Sequence, residues 1–529
     1  MSLPLHLHEV IDFSDARVVA SLAGLAAVPV IWTTLSGKKN LPPGPRPSPI
    51  VGNWLDIPAA SDKPWLVYQE WSRKYQSDVV HFEVFGNHVI VINSQKAAKD
   101  LFDKKSALYG DRPRMTMINE LVGLDWHFGF MAQGASWTTH RKMFSKDFNS
   151  AVVSKFLPLE TKWNRIFLKN LLNDPQSFLT HTQHLASGLS LELSHGILVQ
   201  ESGKPDPFIG AATEALEGLG AAGLFGSFLV DYLPSRKCRI FIENLGLDQH
   251  ILVKYVPSWF PLAGFQGIAK KYRVPVGVAG TVPFSVGKAA IEKGEAGPSM
   301  LSGLLETKSF DDDDVRRTTA ATFANGSAAT VTALNSFFLA MVLYPEVQAR
   351  AQKELDTLLG GRLPDFPDEN SLPYVTAIVK EVLRWNPAVP MAFPHRLTTD
   401  DSYNGYHLPA GTVVVPNTWA ILHDPDVYGS DVDKFNPERF LTKDGKLNPE
   451  VPDPQVAFGY GRRVCPARHL ALSTLFLNIA TVLSAFEITQ NGPRPSGEYT
   501  SGLLSYPVPF RCSIQPRSKA YEDLVSSST

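Results

Sequence analysis

Cys465 lies in the segment of this chain whose residue types are best suited to chemistry, Phe458 to Ala471, which reads FGYGRRVCPARHLA. Two glycines precede the cysteine, and an apolar helical pattern follows it. A thiolate just before a helix N-terminus is stabilised by the helix dipole and by nearby backbone amides. Three neighbouring arginines, Arg462, Arg463 and Arg468, add positive charge. Local physics leaves two interpretations: a reactive or metal-ligating cysteine, or a buried structural one.

The same segment resembles the haem-binding loop of the cytochrome P-450 superfamily, whose pattern is F-x-x-G-x-R-x-C-x-G. Phe458, Gly461, Arg463 and Cys465 match this pattern, and Ala467 stands at its final glycine. Alanine is a small residue that other family members also tolerate there. The resemblance of this loop implies a haem-thiolate protein.

Further signatures of that family follow one another in the expected order along the chain. They are W-x-x-x-R (Trp137 and Arg141), E-x-x-R (Glu381 and Arg384), HDP (423–425) and P-E-R-F (Pro437–Phe440, which includes Arg439). Several independent matches make a chance resemblance untenable. The resemblance covers essentially the whole chain, and the wording of its motifs is typical of fungal members.

The resemblance implies haem b as the cofactor, with Cys465 as the proximal thiolate ligand to its iron. It also implies that Trp137, Arg141, His395 and Arg463 hold the haem propionates. This assignment makes physical sense, because cationic and N–H donors suit carboxylates.

Two further roles follow from the resemblance. Phe458 would pack beside the thiolate, with an ordinary core phenylalanine as the alternative. Glu381 and Arg384 lie three residues apart on one helical face, and in the family they form a buried structural network with the arginine at Arg439. An ordinary surface ion pair is the alternative for these residues.

A second informative stretch is FANGSAATVTALN, Phe323 to Asn335. It resembles the family's distal helix motif, A/G-G-x-D/E-T-T/S. In this register Gly326 gives clearance above the haem, and a kink there is common in the family. Ala328 and Ala329 stand where the family has an acid and an alcohol that relay protons during oxygen activation. Thr330, one helical turn after Gly326, is the preferred substitute.

The two alanines leave several functions open. The first is an oxygenase with a substituted relay, using Thr330, Ser327, Asn325, ordered water or a substrate hydroxyl. The second is a haem-thiolate isomerase, dehydratase or rearrangement catalyst that needs no relay. The third is a poorly active relative. A non-enzymatic haem-containing binding or sensing protein is a further alternative.

The elements that position these residues are predicted as mainly α, with a smaller β-rich region after about residue 385. A long helix runs from Asp313 to Tyr344, which is 32 residues or about 48 Å, and the acidic run at 311–314 caps it. An alternating stretch, Val79 to Asn93, predicts a hairpin that turns at Gly86-Asn87.

The N-terminus predicts a membrane anchor at residues 1–37. Its stretch from Val18 to Leu35 has 18 uncharged residues, the lower limit for a bilayer span, and Lys38 and Lys39 follow. A cleaved signal peptide is the alternative. A proline-rich hinge (38–53) and a haem-thiolate catalytic domain (54–529) complete the predicted organisation.

Composition limits the possible partners. The net charge of −2 argues against nucleic acid, and three cysteines are too few for a disulfide framework. Together with the predicted anchor, the resemblance implies a single-pass protein of the endoplasmic reticulum membrane with a cytoplasmic catalytic domain. It also implies that the protein inserts one oxygen atom from O2 into a lipophilic small molecule, in fungal secondary metabolism, with electrons from a separate NADPH-dependent cytochrome P-450 reductase.

Two segments bear on the substrate without identifying it. The stretches Leu108 to Phe130 and Phe208 to Phe228 are predicted to line the pocket. Between Ser235 and Ile251 the chain has residues that family members usually lack, which is either a surface extension or a retained intron.

Overall fold

A computed structural model describes residues 40–232, 254 and 263–527 of the 529-residue chain. The predicted anchor at residues 1–37 lies outside the described residues, as does the segment from Ser235 to Ile251. The part of the predicted hinge from residue 41 to residue 47 forms no helix. It runs beside the first strand, where the backbone amide of His81 donates to the carbonyl oxygen of Pro43 at 2.9 Å.

Helices dominate the described chain, as predicted. In chain order the α-helices are α1 Pro64–Tyr75, α2 Gln95–Ala98, α3 Ser106–Tyr109, α4 Ala135–Phe148, α5 Leu157–Asn173, α6 Phe178–His195, α7 Pro207–Ala222, α8 Leu229–Tyr232, α9 Gly264–Glu292, α10 Met300–Glu306, α11 Asp312–Leu343, α12 Pro345–Leu359, α13 Pro373–Trp385, α14 Thr418–Leu422, α15 Pro425–Tyr428, α16 Arg468–Ala485 and α17 Lys519–Ser527. Single turns of 3-10 or π helix connect several of them, including Lys99–Lys104, Thr116–Leu121, Phe128–Phe130, Pro437–Phe440, Gln455–Phe458 and Gly461–Arg463.

Short strands form three small sheets. The strands are β1 Val79–Val84, β2 Asn87–Ile92, β3 His395–Arg396, β4 Asp401–Tyr403, β5 Tyr406–Leu408, β6 Val413–Pro416, β7 Phe486–Gln490 and β8 Cys512–Pro516. The largest sheet has the order β1-β2-β6-β3, in which β6 runs parallel to β2 and antiparallel to β3. Six of the eight described strands follow residue 385, which confirms the predicted β-rich region.

The predicted hairpin is present, but its turn lies one residue earlier than predicted. Val84 pairs with Asn87, so the turn residues are Phe85 and Gly86. Both have left-handed backbone angles, with φ of 48° and 73°. A two-residue turn with positive φ at both positions matches the twist of the flanking strands, and this places Asn87 at the start of β2.

The long helix α11 has 32 residues, as predicted, shifted by one position toward the N-terminus. Asp311 caps it, because its side chain accepts a hydrogen bond from the backbone amide of Asp313 at 2.8 Å. Pro345 opens α12 directly afterwards, and a proline favours extended backbone at the residue before it. Tyr344 is therefore the C-cap of α11 rather than its last helical residue.

The composition of α11 changes along its length, and this shapes the interior. Its C-terminal half contributes large side chains such as Phe337 and Phe338 to a core shared with α5, α6, α13 and α16. Its N-terminal half contributes small residues, including Ala321, Ala324 and Ala328, to a second cluster. The small residues leave room for a cavity beside the middle of the helix.

Three described helices, α9, α11 and α16, are long and apolar enough to cross a membrane by length and composition. In α11 and α16, 67% of the most apolar window is buried inside the protein, whereas in α9 the figure is 28%. For α11 and α16, apolar composition is accounted for by their place in the core.

Candidate haem-binding site

Cys465 occupies a tight loop between the turn Gly461–Arg463 and the start of α16. Its backbone amide donates to the carbonyl oxygen of Phe458 at 2.7 Å, which closes the loop. Gly461 has a φ of 49°, and an added Cβ there would overlap the carbonyl oxygen of Phe102. The second glycine of the loop is therefore required both by its backbone angle and by close packing.

The loop directs Cys465 toward a large cavity. Burial raises the pKa of the Cys465 thiol, whereas the backbone amide of Ala467 and the charges of Arg141 and Arg468 lower it. A metal ion would deprotonate a coordinating thiol outright. The predicted stabilisation of the Cys465 thiolate by amides and arginines is thus present. Without a metal ion, however, burial has the larger effect on the pKa of the thiol.

The cavity comprises about 1680 Å³ of space, its opening to solvent included, and is lined by both the Cys465 loop and the middle of α11. Phe458 also lines it, as predicted for a residue beside the thiolate. Asn325, Gly326 and Ala329 are exposed, although they lie in the middle of a core helix, because they face this cavity. The cysteine and the distal motif, 135 or more residues apart in sequence, therefore share one site.

Arg463 and Trp137 present unpaired N–H groups in this region. Arg463 Nε donates to the carbonyl oxygen of Gly110 at 2.7 Å, but both terminal nitrogens are buried without a partner among the described residues. The indole N–H of Trp137 is likewise buried without a partner there. The guanidinium carbon of Arg463 lies 4.4 Å from the centre of the Trp137 ring. Burial lowers the pKa of Arg463 to about 10.

Sequence reasoning missed Arg112, which is buried and lines the same cavity. Its Nε donates to the carbonyl oxygen of Gly129, and Nη1 donates to those of Phe393 and Pro394. Burial first, and then the charge of Arg463, lower the pKa of Arg112. The available signal was a pair of arginines, Arg112 and Arg114, in the GDRPRM stretch, within the segment already predicted to line the pocket.

Two buried arginines, with Asp111 as a nearby carboxylate, and an unpaired indole N–H favour a ligand that carries carboxylates. Uncompensated buried charges and donors are costly, and a carboxylate satisfies both requirements at once. Haem has two propionates and takes a cysteine ligand, so the residues present fit this cofactor.

The remaining predicted propionate ligands, His395 and Arg141, have contacts of their own. His395 lies on β3, lines the cavity, and its Nδ1 is 2.7 Å from the carbonyl oxygen of Tyr109. Arg141 Nη1 donates to the carbonyl oxygen of Val464 at 2.8 Å. Arg141 therefore braces the cysteine loop directly.

The predicted network of Glu381, Arg384 and Arg439 is present and buried. Arg384 donates to both carboxylate oxygens of Glu381, from Nε at 2.7 Å and from Nη2 at 2.8 Å. Arg439 Nε donates to Glu381 at 3.2 Å, and the backbone amide of Asn436 adds a fourth hydrogen bond. Glu381 and Arg384 have no solvent exposure, so this is not a surface ion pair.

In the distal helix, Gly326 lies against α6. A Cβ at Gly326 would overlap Ser190 Oγ and lie 3.2 Å from Ser190 Cβ. Gly326 therefore permits α11 and α6 to pack closely, and the missing side chain leaves more room in the cavity at this position. Ser327 is turned the same way, and its hydroxyl is hydrogen-bonded to that of Ser187 at 2.7 Å.

Thr330 lines the cavity, and its hydroxyl donates to the carbonyl oxygen of Gly326 at 2.9 Å. Ala328 is 5% exposed, whereas Ala329 is open to the cavity. Asn325 also lines the cavity, and its Oδ1 is 2.8 Å from Nε2 of His127. Sequence reasoning missed His127, because this contact joins residues 198 positions apart.

The fold and the site together define a helical haem-thiolate protein. A sequence model of the family described as Cytochrome P450 matches residues 42–202 and 291–514. This chain belongs to the cytochrome P450 family, whose members bind haem iron through a cysteine.

Curated fungal proteins are similar over most of the chain. Cytochrome P450 monooxygenase 98 of Postia placenta is 38% identical over 503 residues, covering 92% of each chain. Cytochrome P450 monooxygenase ple1 of Rhodocybe pseudopiperita is 36% identical over 525 residues, covering 96% of each chain. Tryptamine 4-monooxygenase of Psilocybe cyanescens is 38% identical over 500 residues, covering 91% of this chain and 94% of its own.

These relatives confirm the predicted class. The protein is a fungal-type cytochrome P450 monooxygenase, an oxidoreductase, rather than an isomerase or dehydratase. Monooxygenases of this family use a redox partner and act on small molecules.

Proposed function

We propose that Cys465 is the iron ligand and that Arg463, Trp137, Arg112 and His395 hold the haem propionates. The unpaired buried N–H groups of Arg463 and Trp137 are the observation that carries this assignment. When bound, haem supplies the activation of O2, and a thiolate ligand favours O–O cleavage. Arg141 would keep the cysteine loop in place through its bond to Val464.

We further propose that the protein oxidises an uncharged lipophilic small molecule in fungal secondary metabolism. Many of the side chains that line the cavity are apolar, among them Phe128, Leu189, Leu193, Leu216, Val389 and Leu504. No aspartate or glutamate is among the described residues that line it. A cationic amine would therefore be buried there without a counter-charge, which is costly.

Electrons for this reaction would come from a separate NADPH-dependent cytochrome P-450 reductase. The anchor predicted at residues 1–37 would hold the protein in the endoplasmic reticulum membrane as a single-pass protein, with residues 54–529 in the cytoplasm. Both proposals rest on the predicted apolar segment at the N-terminus and on the family to which the chain belongs.

For proton transfer we propose Thr330 in place of the missing acid–alcohol pair. Its hydroxyl donates to the carbonyl oxygen of Gly326 and retains lone pairs that can accept from water in the cavity. A hydroxyl that donates on one side and accepts on the other polarises a water chain. Gly326 would leave the room in which that water and the substrate lie.

The test is turnover of a panel of lipophilic compounds under ¹⁸O2, with the holoenzyme, a fungal reductase and NADPH. One ¹⁸O atom per product molecule and strict dependence on NADPH are expected. Product that carries no ¹⁸O and forms without NADPH would overturn the monooxygenase assignment. Cys465→Ser should abolish turnover together with the thiolate–carbon monoxide absorbance band.

The relay proposal is tested in the same assay by Thr330→Val, with Thr322→Val as the control. Thr322 lines the same cavity, and its hydroxyl donates to the carbonyl oxygen of Thr318. A lost proton-transfer group typically costs about 10²-fold or more in rate, so product per NADPH should collapse in Thr330→Val. Equal coupling in the two variants would exclude Thr330 as the relay.

A further inference from the structure

His127 and Asn325 form a hydrogen-bonded pair that joins the loop before α4 to the middle of α11. His127 is 1% exposed, and its Nε2 lies 2.8 Å from Oδ1 of Asn325. Its other ring nitrogen, Nδ1, accepts a hydrogen bond from the backbone amide of Gly129 at 3.1 Å. Both ring nitrogens of this buried imidazole are therefore engaged.

These contacts fix the tautomer and, through it, the orientation of the amide. Because Nδ1 accepts from an N–H group, a neutral ring must carry its proton on Nε2. Nε2 then donates, and the only atom of the Asn325 carboxamide that can accept is Oδ1. A flipped amide would place N–H against N–H at Nε2. The amide nitrogen of Asn325 is therefore held away from His127.

The imidazole stays neutral under ordinary conditions. Burial lowers the pKa of His127 to about 4, and the charge of Arg112 acts in the same direction. His127 packs against the rings of Trp126, Phe130 and Phe393, with centroid distances between 5.1 and 6.4 Å. These aromatic rings hold the imidazole in place, so His127 is a rigid support for the Asn325 amide.

The amide nitrogen of Asn325 is a free donor at the cavity wall. Asn325 is exposed to the cavity, and within the described part of the chain its Nδ2 has no hydrogen-bond partner. The neighbouring hydroxyls of Thr322 and Thr330 already donate to backbone carbonyls at 2.9 Å. An oriented donor in a largely apolar wall discriminates strongly between ligands that can and cannot accept from it.

We propose that the His127–Asn325 pair is a substrate-recognition element, in which the Asn325 amide N–H binds an uncharged oxygen acceptor, a carbonyl or hydroxyl, on an otherwise apolar substrate. Asn325 makes the contact, and His127 is a positioning residue. This inference rests on the proposed function in one respect only, namely that the cavity is the substrate site. It adds the substrate class: a lipophilic molecule with one oxygen already present near the position to be oxidised.

A consequence concerns reaction order. A substrate that already bears a carbonyl or hydroxyl must be supplied by a reaction that leaves such a group on the carbon skeleton, such as an oxidation, a hydration or an acyl condensation. The protein would then act after that reaction, and not on a pure hydrocarbon.

The experiment measures binding to ferric holoenzyme by the substrate-induced change in haem absorbance. The probes are three ketone–hydrocarbon pairs with one, two and three fused six-membered rings, the two-ring pair being 1-tetralone and tetralin. The measured quantity is the ratio of the hydrocarbon Kd to the ketone Kd. Haem content per protein and the thiolate–carbon monoxide spectrum confirm that each variant is folded.

Asn325→Leu keeps the approximate volume and removes both donors. We expect the ratio to fall about fivefold for at least one pair, as befits the loss of one net hydrogen bond, while the hydrocarbon Kd stays the same or decreases. His127→Phe should lower the ratio by a smaller factor, because the amide then loses its fixed orientation. Thr322→Val, which changes a hydroxyl on the same wall, should leave the ratio unchanged.

Three results would overturn the proposal. The first is a wild type with no preference for the ketone in any pair, and the second is a wild-type ratio in Asn325→Leu. Equal losses in Asn325→Leu and Thr322→Val would instead indicate general wall polarity. Where Asn325→Leu fails to retain haem, Asn325→Ala takes its place with the same criteria. The assay needs no turnover, so failure of ¹⁸O incorporation would refute the monooxygenase proposal without deciding this one.

Discussion

Replacing Glu381 by glutamine is expected to destabilise the protein severely. The carboxylate has no solvent exposure and accepts four hydrogen bonds, two of them from Arg384, at 2.7 to 3.2 Å. Glutamine keeps the shape but removes the charge, and it presents an N–H group to donors on one side. Arg384, itself fully buried, would then have no counter-charge at that site.

The magnitude follows from the burial. Removing one partner of a buried ion pair costs about 3–5 kcal/mol, because the other charge stays desolvated and uncompensated. A folded domain is typically stable by about 5–15 kcal/mol, so the loss is a large fraction of the total. The expected result is a marked fall in the urea midpoint of unfolding, followed by tryptophan fluorescence of the holoprotein.

A matched control and a compensating variant sharpen this test. Glu201 and Lys204 form an ion pair with the same three-residue spacing, at 2.7 Å, but both are exposed. Glu201→Gln should leave the midpoint unchanged, since exposed pairs contribute little. Glu381→Leu combined with Arg384→Met should recover part of the loss, because no buried charge is then left alone. A midpoint for Glu381→Gln equal to that of wild type would refute the reasoning.

Two further predictions concern a buried acid and a helix contact. Glu160 is 1% exposed, its oxygens accept from the hydroxyls of Ser473 and Thr474, and burial raises its pKa to about 7. The folded protein thus holds a proton that the unfolded chain loses near pH 4.5, so Glu160 lowers stability as pH rises from about 4.5 to 7. Between pH 4.5 and 8 this effect lowers the free energy of unfolding by about 3 kcal/mol, and Glu160→Gln should remove that decline in urea titrations. Parallel pH profiles for the wild type and the variant would contradict this. Gly326→Ala should lower the thermal midpoint of unfolding, because its methyl group would overlap the Ser190 hydroxyl. Adding Ser190→Gly to the same chain should restore the midpoint. If Ser190→Gly fails to raise it, the methyl group acts elsewhere.

The sequence was most informative where function constrains short runs of residues. The length of α11 was predictable from capping and a proline stop, whereas the Cys465 loop and the buried Glu381 network were predicted through the resemblance of their motifs to those of a known family. The hairpin was predicted with its turn one residue late, because Gly86-Asn87 is as good a turn sequence as Phe85-Gly86 until strand pairing decides between them.

Contacts between distant segments could not be predicted in this way. A side chain added at position 326 would meet Ser190, and His127 orients Asn325, but neither partner is marked by any local pattern. Arg112 lies in a segment that the sequence predicts to line the pocket, yet nothing local distinguishes it from Arg114, and its role depends on Arg463 lying nearby. Such pairs arise only when helices and loops have packed.

Helix α11 has two faces with different contacts, and substitutions on them therefore have different consequences. Ser327 and Asn335 are hydrogen-bonded to side chains of α6, so a change at either position requires a matching change in another helix. Asn325 and Ala329 face the cavity, where a single substitution alters the wall without disturbing that seam. Single substitutions on the cavity face can therefore change the substrate, while the hydrogen bonds between α11 and α6 keep the helix in position.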